Sequence, residues 1–147
     1  MEANQVISLD RVRIHPGAAT RDQALQEATD LLVAAGAVTP AYYEAMQDRE
    51  RTVSTFMGNE LSIPHGTNET LDTVLGTALT FVRYDGGVDW DGQRVRFVVG
   101  IAGKGGEHLG ILSQIALLFS EDSEVEKLRA AETPEQLFSL LVAPSAE

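Results

Sequence analysis

Gly58-Asn59-Glu60-Leu61-Ser62-Ile63-Pro64-His65-Gly66-Thr67 holds the reading of this chain together. Leu61 to Ile63 reads as a short strand that runs into a turn carrying His65. Pro64 lacks an N–H and fixes its own φ, which stiffens the approach. Gly66 has no side chain to obstruct a bulky group coming near His65. The chain has only 3 histidines, so one set in such a turn marks a candidate reactive position.

Outward from this stretch, helices and strands alternate. Upstream, Arg11-Val12-Arg13-Ile14 alternates charged and apolar residues as a half-buried strand does, and His15-Pro16-Gly17 breaks it. Thr20 and Gln23 have capping-box spacing. Ala24, Leu25, Ala28, Leu31, Leu32 and Ala35 follow at helical intervals, with Gly36 at the exit. Thr39-Pro40 predicts a second helix with threonine as its cap. Tyr42, Tyr43 and Met46 supply its apolar contacts, and Arg49 lies near its C-terminal end. Downstream, Thr73 to Val82 and Arg94 to Ile101 are β-rich runs, with Asp85-Gly86-Gly87 and Asp91-Gly92 as the turns between them. Lys104-Gly105-Gly106 leads into a helix from about Glu107 to Phe119. Its apolar set of Leu109, Ile111, Leu112, Ile115, Ala116, Leu118 and Phe119 is broad enough to be largely buried. Ser123 with Glu126, and Thr133-Pro134 with Gln136, predict two more capping boxes opening short C-terminal helices. The pattern is a single mixed α/β domain with helices packed on a sheet.

At 147 residues, 44% hydrophobic and 22% charged, the chain has the composition of one globular domain with its own core. The 11 basic residues against 22 acidic ones leave a net charge of −11. That balance repels nucleic-acid backbones and favours approach by a basic protein. The absence of cysteine removes disulfides, thiolate metal sites and cysteine nucleophiles. No apolar run approaches the roughly 20 residues of a membrane helix. The segment Met1 to Asp10 lacks the basic start and apolar stretch of a signal peptide. The expected location is therefore the cytoplasm.

The chemistry open to His65 is nucleophilic. Phosphoryl transfer through histidine needs a neutral imidazole nitrogen aimed at phosphorus, and donors for the charge on the transferring oxygens. Backbone N–H groups and the hydroxyl after Gly66 are candidates for those donors. His108 follows a glycine-rich loop, in the predicted first turn of a helix. There the dipole favours an anion and a neutral imidazole, which could donate to a phosphoryl group on His65; a histidine at a helix start in solvent is the plainer alternative. Arg49 can fork onto two phosphate oxygens, or can pair with Asp48 or Glu50 at the surface, and spacing alone does not separate it from Arg51. His15 is expected to face solvent. Lys104-Gly105-Gly106 is not a Walker loop, no HExxH motif is present, and Ser54 and Ser62 lack a nucleophile-elbow pattern.

At these residues the chain resembles the enzyme IIA domains of the bacterial sugar phosphotransferase system, mannitol/fructose class. Three blocks carry the resemblance: Tyr43-Glu44-Ala45-Met46 through Asp48-Arg49-Glu50, Gly58 through Thr67, and Gly100-Ile101-Ala102-Gly103 through Glu107-His108-Leu109. It implies a mixed β-sheet flanked by helices. It implies that His65 accepts a phosphoryl group, as a tele-phosphohistidine, from phosphorylated HPr and passes it to a IIB domain of a membrane sugar permease. By motif, His108 becomes the second active-site histidine. Arg49, from its place in the Met-x-x-Arg-Glu block, becomes the arginine that meets the phosphoryl group. No metal or organic cofactor is implied. The Gly-Asn-Glu before the Ile-Pro-His, and the Gly-Thr after it, look more mannitol-like than fructose-like. A regulatory, nitrogen-type protein shares the same motif and is the alternative reading.

Overall fold

Residues 6–66 and 73–142 are described in a computed structural model, with His108 described through its backbone alone. The first strands, β1 (Val12–His15) and β2 (Ala19–Thr20), both lie parallel to one long strand, β6 (Phe81–Trp90). Between them and β6 come helix α1 (Arg21–Ala34), helix α2 (Tyr42–Thr52), and the short strands β3 (Phe56–Gly58), β4 (Leu61–Ser62) and β5 (Ala78–Leu79). After β6 follow β7 (Gln93–Val98), β8 (Ile101–Ala102) and helices α3 (His108–Phe119), α4 (Asp122–Ala130) and α5 (Pro134–Val142). The main sheet runs β1-β6-β7-β4-β3, with β2 also on β6, while β5 and β8 form a separate antiparallel pair. Parallel β4–β7 and antiparallel β6–β7 pairings sit side by side, so the sheet is mixed.

Strand alternation divides the core into two layers. Val82, Tyr84, Val88, Trp90, Val95 and Val98 pack with Leu25, Leu32 and Met46 from α1 and α2. Phe81, Phe97 and Val99 point the other way, onto Ile111, Ile115 and Phe119 of α3, Val125 and Leu128 of α4, and Leu137 of α5. Neighbours along one strand thus serve opposite layers, as the period of two requires. Phe81, Phe97 and Phe119 meet at ring centroids 5.2 to 6.3 Å apart.

The predicted capping box on α1 is present: Thr20 Oγ1 accepts from Gln23 N at 3.0 Å, and Gln23 Oε1 accepts from Thr20 N at 2.9 Å. Gly36 follows in the left-handed region, with φ of 75°. Other expected caps shift. Helix α2 starts at Tyr42 without a side-chain cap, after a turn in which the carbonyls of Thr39 and Pro40 accept from Tyr42 and Tyr43 N–H. Helix α4 begins at Asp122, so Ser123 is an interior residue and no side chain caps the start. Before α5, Thr133 Oγ1 accepts from Gln136 N, but the Gln136 amide reaches Glu132 N instead of closing the box. The apolar set of α3 is also less buried than expected, since Leu109 is 62% exposed.

The larger correction concerns Asp85-Gly86-Gly87, which is no turn. Strand β6 passes straight through it, with a register shift against β7 between Arg83 and Val88. The glycines form a bulge that lets the strand press on residues 17 and 18. Gly86 N donates to Gly17 O at 3.1 Å, and a Cβ on Gly86 would collide with the Ala18 backbone. Gly87, at φ of 85°, supplies the left-handed residue such a bulge takes. The actual hairpin turn is Asp91-Gly92, both at positive φ, with Gly92 N donating to Asp89 Oδ1. Strand character likewise starts at Ala78 and not at Thr73; Val74 makes only an isolated bridge to Val38. Nothing in the sequence pattern predicts strand β3.

Two charged side chains, Arg83 buried and Glu60 half-buried, brace this frame. Arg83 donates from Nη1 to the carbonyls of Leu128 and Arg129 at 2.8 and 3.1 Å, closing the C-terminal end of α4. Glu60, in the β3–β4 turn at φ of 64°, draws three guanidiniums: Arg129 Nε at 3.0 Å, Arg94 Nε at 3.4 Å and Arg96 Nε at 3.6 Å.

Candidate functional site

Strand β4 delivers the His65 turn. Its partner β7 lies parallel to it, with Leu61 opposite Phe97 and Ser62 opposite Val98. The pairing extends past the strand ends: Val99 N donates to Ser62 O, and Ile101 N to Pro64 O at 3.0 Å. On the other side Ile63 N donates to Thr55 O at 3.1 Å. His65 therefore leaves a ladder bonded on both edges, at the carboxyl end of a parallel strand. That is where α/β sheets commonly open their sites.

The ring is oriented by its own loop. His65 Nδ1 lies 2.8 Å from Ile63 O. A carbonyl oxygen only accepts, so Nδ1 carries the proton, and the lone pair of the neutral ring is on Nε2. Thr67 lies outside the described residues, as does the side chain of His108. His108 nonetheless lies in the first turn of α3, as predicted; it is the first helical residue, and Glu107 occupies the N-cap position. The loop before it is tied down through Thr77: Lys104 N donates to Thr77 Oγ1 at 3.0 Å, and that hydroxyl donates to Glu107 Oε1 at 2.8 Å.

Arg49 lies in the last turn of α2 and donates from Nη1 to the carbonyl of Val53. Neither surface pairing expected of it forms. Asp48 is paired with Arg51. Glu50 is buried and accepts from Thr55 N, Thr55 Oγ1 and Trp90 Nε1. Among the described residues, Arg49 and Lys104 are the basic side chains without a carboxylate partner. His15, expected in solvent, is instead half-buried: its Nε2 meets Glu27 Oε2 at 2.7 Å and its ring lies 5.3 Å from that of Tyr84. Tyr84 donates to the other oxygen of Glu27 at 2.5 Å. Burial, then the Glu27 carboxylate, push the Tyr84 phenol far above its ordinary value.

The helical pattern predicts Tyr42 only as an apolar contact. Its hydroxyl donates to Ile101 O at 2.7 Å and accepts from Gly66 N at 2.8 Å. Burial pushes this phenol up to about 12, with the Gly66 N–H pulling weakly the other way. The available signal was that a tyrosine on the buried face of a helix needs a partner for its hydroxyl.

A mixed sheet with helices on both faces, and a histidine turn at the carboxyl end of one strand, belong to a known class. The sequence pattern of the family "Phosphoenolpyruvate-dependent sugar phosphotransferase system, EIIA 2" matches residues 5–143, and the chain belongs to that family. It is accordingly a phosphotransferase component. Within the family it is similar to the mannitol-specific phosphotransferase enzyme IIA component of Staphylococcus aureus (strain N315). The two are 46% identical over 134 residues, 91% of this chain and 93% of the relative. Among solved structures, enzyme IIAMTL of Escherichia coli, in its complex with phosphorylated enzyme IIBMTL, superposes with a TM-score of 0.84. It is 30% identical and covers 94% of this chain and 98% of its own. The nitrogen regulatory protein IIA-Ntr of Neisseria meningitidis superposes with a TM-score of 0.81 at 26% identity, covering 94% of this chain and 97% of its own. Among the described residues, no helix is long and apolar enough to cross a membrane.

Proposed function

We propose that the chain acts as one cytoplasmic phosphocarrier domain. In this reading His65 accepts a phosphoryl group from phosphorylated HPr and passes it to a IIB domain of a membrane permease, for uptake of mannitol or a related sugar. The observation that carries the reading is the bond between His65 Nδ1 and Ile63 O at 2.8 Å. With the proton on Nδ1, the Nε2 lone pair attacks phosphorus. The N–P bond forms as the bond between phosphorus and the donor breaks, and that electron pair stays with the donor. The imidazolium produced keeps its Nδ1–H on the Ile63 carbonyl, where the bond becomes charge-assisted. Transfer to the acceptor reverses these steps.

Arg49 is the charge clamp in this proposal, because no described carboxylate neutralises it. His108 supplies a hydrogen bond to the phosphoryl group from the start of α3, where the helix dipole favours an anion. Identity to the mannitol-type relative, well above that to the nitrogen-regulatory structure, favours transport over regulation. The test is to incubate the protein with phosphorylated HPr, then with sugar-specific IIB domains, and follow acid-labile phosphate. Wild type should take up label and release it to a IIB domain, and His65→Ala should take up none. Label on His65→Ala would refute the assignment of the acceptor. A labelled wild type that no sugar-specific IIB domain discharges would move the reading to phosphorylation-dependent regulation.

A further inference from the structure

The direction of His65 is set by two peptide planes, Pro64–His65 and His65–Gly66. Backbone alone holds the first, since Ile101 N donates to Pro64 O at 3.0 Å. A side chain holds the second: Gly66 N donates to the Tyr42 hydroxyl at 2.8 Å, and that hydroxyl donates to Ile101 O at 2.7 Å. Ile101 thus grips both planes, one directly and one through the phenol. The two torsions of His65 lie between those planes, and Ile63 O holds the ring.

We propose that Tyr42 is the positioning residue of the phosphoacceptor, its hydroxyl locking the His65–Gly66 peptide so that the imidazole keeps one orientation. The inference rests on the reading of His65 as that acceptor. Three features of the phenol suit it to the task. It is 3% exposed, so bulk water does not compete for either bond. Its single proton is committed to a carbonyl, which leaves the oxygen to accept from Gly66. Its raised pKa keeps that proton in place throughout the neutral range.

Tyr42 also lies on α2 seven residues before Arg49, close to two turns of the same helix. One rigid element therefore carries both the lock on the acceptor loop and the proposed charge clamp, so the two keep a common frame. A corollary is that Gly66 N–H is turned onto the phenol and is not among the donors that meet a phosphoryl oxygen. Those donors come from elsewhere in the site.

Tyr42→Phe keeps the ring in the core and removes both hydrogen bonds. Transfer from phosphorylated HPr should then fall about tenfold, the rate equivalent of one lost hydrogen bond. The loss should fall on kcat, with KM for phosphorylated HPr unchanged. The nitrogen spectrum of the His65 ring should change from a single Nδ1–H tautomer to a mixture. A purely structural tyrosine would lower the melting temperature and leave both readouts alone. Unchanged kcat and an unchanged tautomer in folded Tyr42→Phe would overturn the proposal. Should that variant not fold, the wild-type protein decides. A slowly exchanging Tyr42 hydroxyl proton with a cross-peak to the Gly66 amide supports the lock, and a hydroxyl exchanging as a solvated phenol overturns it. His65→Ala run in parallel separates the two claims: label on it refutes the acceptor, whereas an unaltered Tyr42→Phe refutes only the lock.

Discussion

Replacing Glu50 by glutamine tests whether a buried carboxylate holds the segment that feeds strand β4 and the His65 turn. Glu50 is 4% exposed and takes three donors: Thr55 N, Thr55 Oγ1 and, at 3.2 Å, Trp90 Nε1. All three donors suit a carboxylate with two accepting oxygens. A glutamine of the same shape offers one oxygen and turns an NH2 toward at least one of them. That leaves a buried donor unsatisfied and removes the charge assistance from the rest, which together cost about 3 kcal/mol. With a urea dependence of about 2 kcal/mol per molar, the unfolding midpoint should fall by about 1.5 M. The chain has 1 tryptophan, and it is a member of this network, so its fluorescence reads the transition at the perturbed point. Thr55 O also accepts from Ile63 N at 3.1 Å, so the Ile63 amide should exchange faster in the same variant. A loss below about 1 kcal/mol would refute the reasoning, because it would mean that the three donors find other partners or water.

Alkaline titration should show the buried phenol of Tyr42. Both states are protonated below pH 10, and the unfolded phenol then ionises first. Stability is therefore full below 10 and is lost between 10.0 and about 12, by up to about 2.7 kcal/mol. Denaturation at pH 9 and pH 12 should show a smaller loss for Tyr42→Phe than for wild type, and equal losses would contradict the assignment. Gly100→Ala should destabilise by about 2 kcal/mol, since its Cβ would lie 2.6 Å from Thr80 Oγ1 and 2.8 Å from Ala28 Cβ; an unchanged melting curve would mean that α1 yields freely. Glu60→Gln should remove about 1 to 2 kcal/mol at low ionic strength and less in 1 M salt. A salt-independent loss would show that packing, and not the three guanidiniums, accounts for it.

What the sequence revealed depended on how far away each residue's partner lies. The Thr20–Gln23 box, the Asp91-Gly92 turn and the helix beginning at His108 each rest on residues within a few positions, and each was legible. The glycines at 86 and 87 were misread because the reason the strand continues through them is backbone near position 17, nearly seventy residues earlier. His15 was assigned to solvent because neither Glu27 nor Tyr84 is a sequence neighbour. At the site, His65 was marked out by its own flanks. Tyr42 was not, because its partners Gly66 and Ile101 are 24 and 59 residues away. Ser123 has a capping spacing that the chain does not use, as the helix begins two residues sooner than a Ser123 cap would start it.

The separation of the core into two layers has a consequence for how this chain fails. The loop that carries His65 is tied to α2, in one layer, through Tyr42, and to Ile101 of β8 and Ile63 just after β4, which lie in the other. Neither half can melt alone and leave that loop in its native shape. On the proposed role of His65, a partly unfolded copy of the protein is therefore an inert one, unable to siphon off what a relay hands along.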